Sequence, residues 1–128
     1  MRLLYRIGLV TQALLYVAAG MNHFWHTAMY VAIMPPHYAH PVGLVQISGV
    51  AEVLGGIGLL VPWSRRFAAW GIVAMLVVYF DVHIYMAMHA DRFATIPVWL
   101  IYARLPLQLL LIAWAGVYAV RPSERQLP

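Results

Sequence analysis

The sequence predicts an all-α protein, a single-domain integral membrane four-helix bundle with a polar site in its outer half. Three observations predict this fold. Of the 128 residues, 64% are hydrophobic and 9% are charged, whereas soluble domains are about a quarter charged. The hydrophobic residues form four runs of about 20 residues, each long enough to cross a bilayer. Away from the ends of these runs, three charged side chains are nevertheless present, namely Glu52, Asp81 and Arg104.

The four runs give the expected crossings, at about residues 3–24, 42–61, 67–89 and 98–120. We expect the first run to be retained as a crossing rather than removed as a signal peptide. The stretch 25–41 is interrupted by prolines and rich in His, Tyr and Trp. It is too broken for a spanning helix, and aromatic side chains favour the membrane surface. We therefore expect it to form an ordered interfacial cap between helices 1 and 2.

The arginines predict the orientation. All eight basic residues are arginine, and six of them flank one side of the membrane: Arg2, Arg6, Arg65, Arg66, Arg121 and Arg125. Positive side chains favour the cytoplasmic side, so both termini are expected there. The net charge of +4 is modest and suits anchoring to the lipid bilayer, so nucleic acid is not an expected partner.

Each crossing carries one stripe of polar or small residues at helical spacing. The stripes are Gln12, Tyr16, Ala19 and His23; Ser48 and Glu52; Asp81 and Tyr85; Arg104 and Gln108. Residues three or four apart share a helix face, so four such stripes predict a bundle with a polar centre. The second crossing also contains Gly49, Gly55 and Gly56, which favour close helix packing in a membrane.

The three charged side chains predict the position of the site. A charge in a spanning helix costs about 2.5–3.5 kcal/mol on insertion scales, so we expect these groups to face one another or a wet cavity. Glu52 and Arg104 are expected to form the central pair, and Asp81 adds a second carboxylate. We take all three as candidate catalytic residues. The structural alternative is an ion pair that only fixes helix register.

A second group of residues is expected to surround this pair and bind a ligand: Asn22, His23, His83, Tyr85 and Gln108. His23 and His26 are three residues apart on one helix face, and His83 approaches from the third helix, so these histidines are candidate ligands of a metal or haem. No HExxH or CxxC motif accompanies them. The alternative is interfacial histidines that bind backbone groups.

Several sequence blocks, taken in order, carry a family resemblance. They are AAGMNHF at 18–24, PP at 35–36, SGVAEVLGGIGLLVP at 48–62, RRFAAWG at 65–71 and RLPLQ at 104–108. Together they resemble the DoxX-like family of small four-helix membrane proteins, over nearly the whole chain. The resemblance implies a protein of the bacterial inner (plasma) membrane. Relatives are named for quinone or terminal-oxidase chemistry, for redox-stress complexes or for membrane-protein assembly.

The third helix departs from that family. Relatives tend to read Pro-x-Asn-Ile-Tyr-Met, whereas this chain reads FDVHIYM at 80–86, without the proline and with His83 in place of the asparagine. A substrate or partner of the relatives therefore does not transfer directly to this chain. An ionisable His83 indicates a variant site with its own chemistry.

These observations support three functional hypotheses and leave open whether the protein is an enzyme. The first is a redox-associated subunit that binds a quinone-like or other small apolar molecule. In it Arg104 and Gln108 polarise a carbonyl, and Glu52 or His23 moves protons. Because the chain has no cysteine, electrons would come from a redox partner protein or a bound cofactor. The second is a non-catalytic assembly module, and the third a haem- or metal-binding protein.

Two further points stay open in the sequence. A small-molecule or proton carrier is disfavoured, because the chain shows no inverted repeat or pair of broken helices. An oligomer is compatible with the glycines of the second crossing, which would pack equally well within the bundle or between protomers.

Overall fold

The computed structural model describes residues 1–121, and over that range every regular element is helical. The helices are α1 (Arg2–Trp25), α2 (Thr27–Ala32), α3 (Pro41–Leu60), α4 (Arg65–Met88) and α5 (Val98–Val120), with a 3₁₀ turn at Ala90–Phe93. The four long helices are long and apolar enough to cross a membrane. The predicted all-helical bundle with four crossings is confirmed, and the chain is a multi-pass membrane protein.

The long helices form two closely packed pairs. The most extensive contacts join α1 to α3 and α4 to α5, and fewer join α3 to α4. Glycines explain the first pair, because a Cβ atom at Gly20 would lie 2.5 Å from the carbonyl oxygen of Gly49. A Cβ atom at Gly56 would lie 2.6 Å from the carbonyl oxygen of Ala13. These glycines therefore pack within the bundle, where they let two backbones approach closely.

The two ends of the bundle differ in packing. At the end that carries the N-terminus, which we call the termini end, one continuous core joins the four long helices: Tyr5, Leu9, Ala13, Tyr16, Leu59, Ala69, Ile72, Leu76, Ala115, Tyr118 and Ala119. The Tyr118 hydroxyl donates to the Tyr5 carbonyl oxygen at 3.3 Å, and the two rings meet edge to face. These contacts hold the four long helices together at this end.

The opposite end, which we call the α2 end, is covered by the segment between α1 and α3. Here α2 packs on α1 and α3, and the chain then returns to α3 through His40, whose φ of 55° is left-handed, and Pro41. The cap is held to α4 by Asp81, which accepts hydrogen bonds from His37 and Tyr38. The predicted ordered cap between helices 1 and 2 is confirmed.

Candidate functional site

A cavity of about 560 Å³ lies beneath the cap at the α2 end. All four long helices contribute to its wall, together with α2 and the adjoining loops. The lining residues are His23, Met29, Tyr30, Ile33, Met34, Tyr38, Leu44, Val45, Ile47, Ser48, Met75, Val78, Tyr79, Val82, His83, Ile96 and Arg104. A mainly aliphatic wall with a few polar groups is typical of sites for small organic molecules.

The cavity opens sideways rather than toward the termini end. Its lining includes Met29, Ile47 and Val78, whose exposed fractions are 55%, 67% and 62%. These aliphatic side chains belong to α2, α3 and α4. In a membrane protein such a rim faces acyl chains, so a molecule dissolved in the bilayer can reach the cavity without crossing the aqueous phase.

His23 forms one polar side of the cavity. Its Nδ1 atom lies 3.0 Å from the hydroxyl of Ser48, and its Nε2 atom lies 3.4 Å from a carboxyl oxygen of Glu52. Ser48 and Glu52 are one turn apart on α3 and face α1, which the glycine contacts bring close. The edge of the His23 ring also packs on Tyr30, with ring centroids 4.0 Å apart. Glu52 is buried behind this group and does not line the cavity.

Several buried polar atoms near the cavity have no hydrogen-bond partner within residues 1–121. They are Nε2 and Oε1 of Gln12, Oε2 of Glu52, Nδ1 of His83 and the hydroxyls of Tyr16 and Tyr79. Tyr16 interacts with Gln12 and Glu52, and Tyr79 with Glu52 and Ser48, so most of these groups form one column below the cavity. An unsatisfied buried group costs about 1–3 kcal/mol, and native proteins tolerate few of them. This column of buried polar groups meets the cavity wall at Ser48 and Tyr79.

Arg104 forms the other polar side. Arg104 lines the cavity from α5, and its Nη1 atom donates to the sulfur of Met86 at 3.2 Å. The charge acts electrostatically on His83, which lies across from it on α4. Gln108 sits beside His83 and donates to the carbonyl oxygen of Leu76 at 2.7 Å, which fixes α5 against α4.

The predicted ion pair between Glu52 and Arg104 is wrong. Among residues 1–121, the carboxyl group of Glu52 lies 3.4 Å from the His23 ring, and Arg104 contacts Met86. The glycine contacts place α1 against the face of α3 that carries Glu52, so the carboxyl group meets an imidazole first. The two charges belong to one region of the bundle but to opposite helix pairs.

The predicted place of Asp81 in the polar centre is also wrong. Its side chain is 44% exposed, and its Oδ2 atom accepts hydrogen bonds from Nε2 of His37 at 2.8 Å and from the hydroxyl of Tyr38 at 2.6 Å. The hydrogen bond from Tyr38 to Asp81 raises the pKa of Tyr38, because the ionised hydroxyl would lose this bond and face the Asp81 carboxylate. Asp81 anchors the cap and does not add a second acid to the buried site.

The structure sorts the predicted ligand-binding residues into two groups. His23 and His83 line the cavity, whereas Asn22, Tyr85 and Gln108 do not. Asn22 supports the cap by donating to the Tyr30 hydroxyl at 2.8 Å, and Tyr85 packs on His89 with ring centroids 4.6 Å apart. Gln108 lies outside the cavity lining and interacts with the side chain of His83.

The three candidate metal ligands are not all brought together. His26 is exposed, and its Nδ1 atom lies 2.7 Å from Oδ1 of Asn22. Within the described range, no three His, Asp or Glu side chains are placed to hold a metal ion. His26 does not line the cavity, whereas His23 and His83 both do, so a metal or haem held by those two histidines stays a candidate.

Two tyrosines in the wall were missed by the sequence analysis. Tyr79 lies four residues before His83, so helical spacing alone places both on one face of α4. That spacing was the available signal. Tyr30 reaches the cavity from α2, and no periodic pattern in the broken segment 25–41 indicates this.

Comparison with known proteins gives one match. A family model described as a domain of unknown function, DUF8561, matches residues 12–119. No curated protein and no solved structure matches the chain. The matched segment begins at Gln12, in the polar column, and contains every residue that lines the cavity.

Proposed function

The chain belongs to the DUF8561 family of domains of unknown function, and we propose that it binds a quinone-like or other small apolar molecule in the cavity at the α2 end. The observation that carries this proposal is the cavity itself, about 560 Å³ in volume, mainly aliphatic, with polar groups on two sides. We further propose a DoxX-like protein of the bacterial inner membrane, with both termini cytoplasmic. A redox partner protein would supply electrons, because the chain has no cysteine.

The polar groups have distinct roles in this proposal. Arg104 donates to a carbonyl oxygen of the ligand, and His83 lies beside it. His23 and Ser48 face the ligand from the other side, and His23 relays a proton between the ligand and Glu52. Glu52 acts through His23, since it does not itself line the cavity.

A decyl-tailed benzoquinone provides the test, with binding to the purified protein measured by native mass spectrometry. Val82 lines the cavity, whereas Val77 is exposed on the same helix outside it. Val82→Trp fills the cavity and is expected to weaken binding at least about tenfold, while Val77→Trp retains the wild-type affinity. Absence of binding to the wild type, or equal loss in both variants, would contradict the proposal.

A second candidate is the non-catalytic assembly module, and the Asp81 contacts favour it. They show that a charged residue in a spanning helix can serve to hold the cap in place. If the His23–Glu52 contact is likewise structural, Glu52→Gln lowers thermal stability and leaves ligand binding unchanged. An absorbance spectrum and metal analysis of the purified protein test the remaining alternative, a bound haem or metal.

A further inference from the structure

Arg104 carries the one formal charge among the residues that line the cavity, histidines aside. A guanidinium has five N–H donors. Within residues 1–121 its single hydrogen bond goes to the sulfur of Met86, and a thioether is a weak acceptor. Most of the N–H donors of Arg104 therefore have no partner among residues 1–121.

The acidic residues that the structure describes do not neutralise this charge. The chain has four of them, and Glu124 lies outside the described residues. Glu52 faces His23, Asp81 holds the cap, and Asp91 is exposed on the 3₁₀ turn. None of these three lines the cavity. A cation in a mainly aliphatic site without an acidic partner is costly unless the occupant compensates it.

We propose that the ligand is an amphiphile whose polar end is an oxyanion held by Arg104. This inference rests on the proposed function, in which the cavity binds a small molecule. A guanidinium matches the geometry of carboxylate and phosphate oxygens, which it binds through two parallel N–H groups. The unpartnered Nδ1 atom of His83, on the cavity wall beside Arg104, offers a further polar contact. The apolar tail leaves through the aliphatic rim formed by Ile47 and Val78, into the bilayer.

The experiment compares four probes with the same tail: dodecanoate, dodecyl phosphate, dodecanol and dodecylamine. Binding is measured in a neutral detergent at mildly alkaline pH for the wild type, Arg104→Gln, Arg104→Lys and Arg92→Gln. Arg92 is the matched control, because it is exposed on the 3₁₀ turn outside the cavity. Thermal unfolding confirms that each variant is folded.

The wild type is expected to bind at least one of the two anions about tenfold or more tightly than dodecanol. Arg104→Gln removes this preference, Arg104→Lys retains part of it because the charge remains, and Arg92→Gln leaves it intact. A preference for dodecanoate indicates a carboxylate ligand, and a preference for dodecyl phosphate indicates a phosphate ligand.

Equal binding of dodecanol, tighter binding of dodecylamine, or an anion preference that survives in Arg104→Gln would overturn the inference. If the benzoquinone binds while no anion is preferred, the inference fails and the proposed function stands. If neither the benzoquinone nor any of the four probes binds, both fail.

Discussion

The Nε2 atom of His23 lies 3.4 Å from Oε2 of Glu52, so α1 and α3 meet at an ionisable pair buried below the cavity. The other ring nitrogen of His23 lies 3.0 Å from the hydroxyl of Ser48, which belongs to the cavity wall. One imidazole thus connects a buried carboxyl group to the surface that a ligand would touch. Glu52 therefore contacts the cavity wall only through His23 and its neighbours.

Glu52→Gln tests the role of this contact. The substitution keeps the size of the side chain and an acceptor oxygen but removes its ability to take up or release a proton, so His23 loses its ionisable neighbour. We expect a folded protein in which benzoquinone binding is weakened about tenfold. His23→Gln should have a larger effect, because its side chain lines the cavity.

Asp91→Asn is the matched control for Glu52→Gln, since Asp91 is an exposed acid outside the cavity, and it should bind like the wild type. A lower melting temperature of Glu52→Gln with unchanged binding would instead show that the pair is structural.

Gly20→Ala tests the close packing of α1 on α3. The new methyl group would lie 2.5 Å from the carbonyl oxygen of Gly49, and such overpacking costs about 1–3 kcal/mol. Gly71→Ala is the control, because no atom lies within 4 Å of its added Cβ and alanine favours a helix. Circular dichroism should show a lower unfolding temperature for Gly20→Ala than for the wild type. The unfolding temperature of Gly71→Ala should not be lowered. Equal shifts in both variants would argue against the close approach.

Asp81→Asn tests whether Asp81 anchors the cap. The amide keeps the shape but loses the charge that strengthens the hydrogen bonds from His37 and Tyr38. Backbone amides of residues 33–40 should then exchange with deuterium faster than in the wild type, as followed by mass spectrometry. The same segment should be unaffected in Asp91→Asn. If the exchange rate in Asp81→Asn equals that of the wild type, Asp81 does not anchor the cap.

The Tyr38–Asp81 hydrogen bond also predicts a pH dependence. It raises the pKa of Tyr38 above its usual value of 10.0. A group whose pKa is raised on folding contributes its full stabilisation below the usual value and loses it as the pH rises through the raised value. The difference in melting temperature between the wild type and Tyr38→Phe should therefore be constant from about pH 6 to 9. Above about pH 10 this difference should decrease toward zero. A gap that grows at high pH would contradict this assignment.

The sequence predicts the helices and the cap because both depend on local information. Hydrophobic run length locates the crossings, and helical spacing correctly places Gln12, Tyr16 and His23 on one buried face. Spacing does not tell which neighbouring helix a face meets. Glu52 therefore had two candidate partners, and only the close approach of α1 to α3 selects the imidazole.

Asp81 shows a second limit of sequence reasoning. Hydropathy includes it in a spanning run, although its side chain is partly exposed under the cap. The partners that explain its position lie more than 40 residues earlier in the chain, in a segment without periodicity. Such a contact depends on how the cap folds back over α4, which no local pattern encodes.

Photo-crosslinking tests the central claim, a ligand cavity beneath the cap, most directly. The reagent is a decyl-tailed benzoquinone that carries a diazirine in its tail, and peptide mass spectrometry locates the adducts. We predict adducts on Ile47 and Val78, at the rim of the cavity. Adducts found mainly on Leu54 and Leu109, which are exposed away from the cavity, would show that the molecule only dissolves around the bundle.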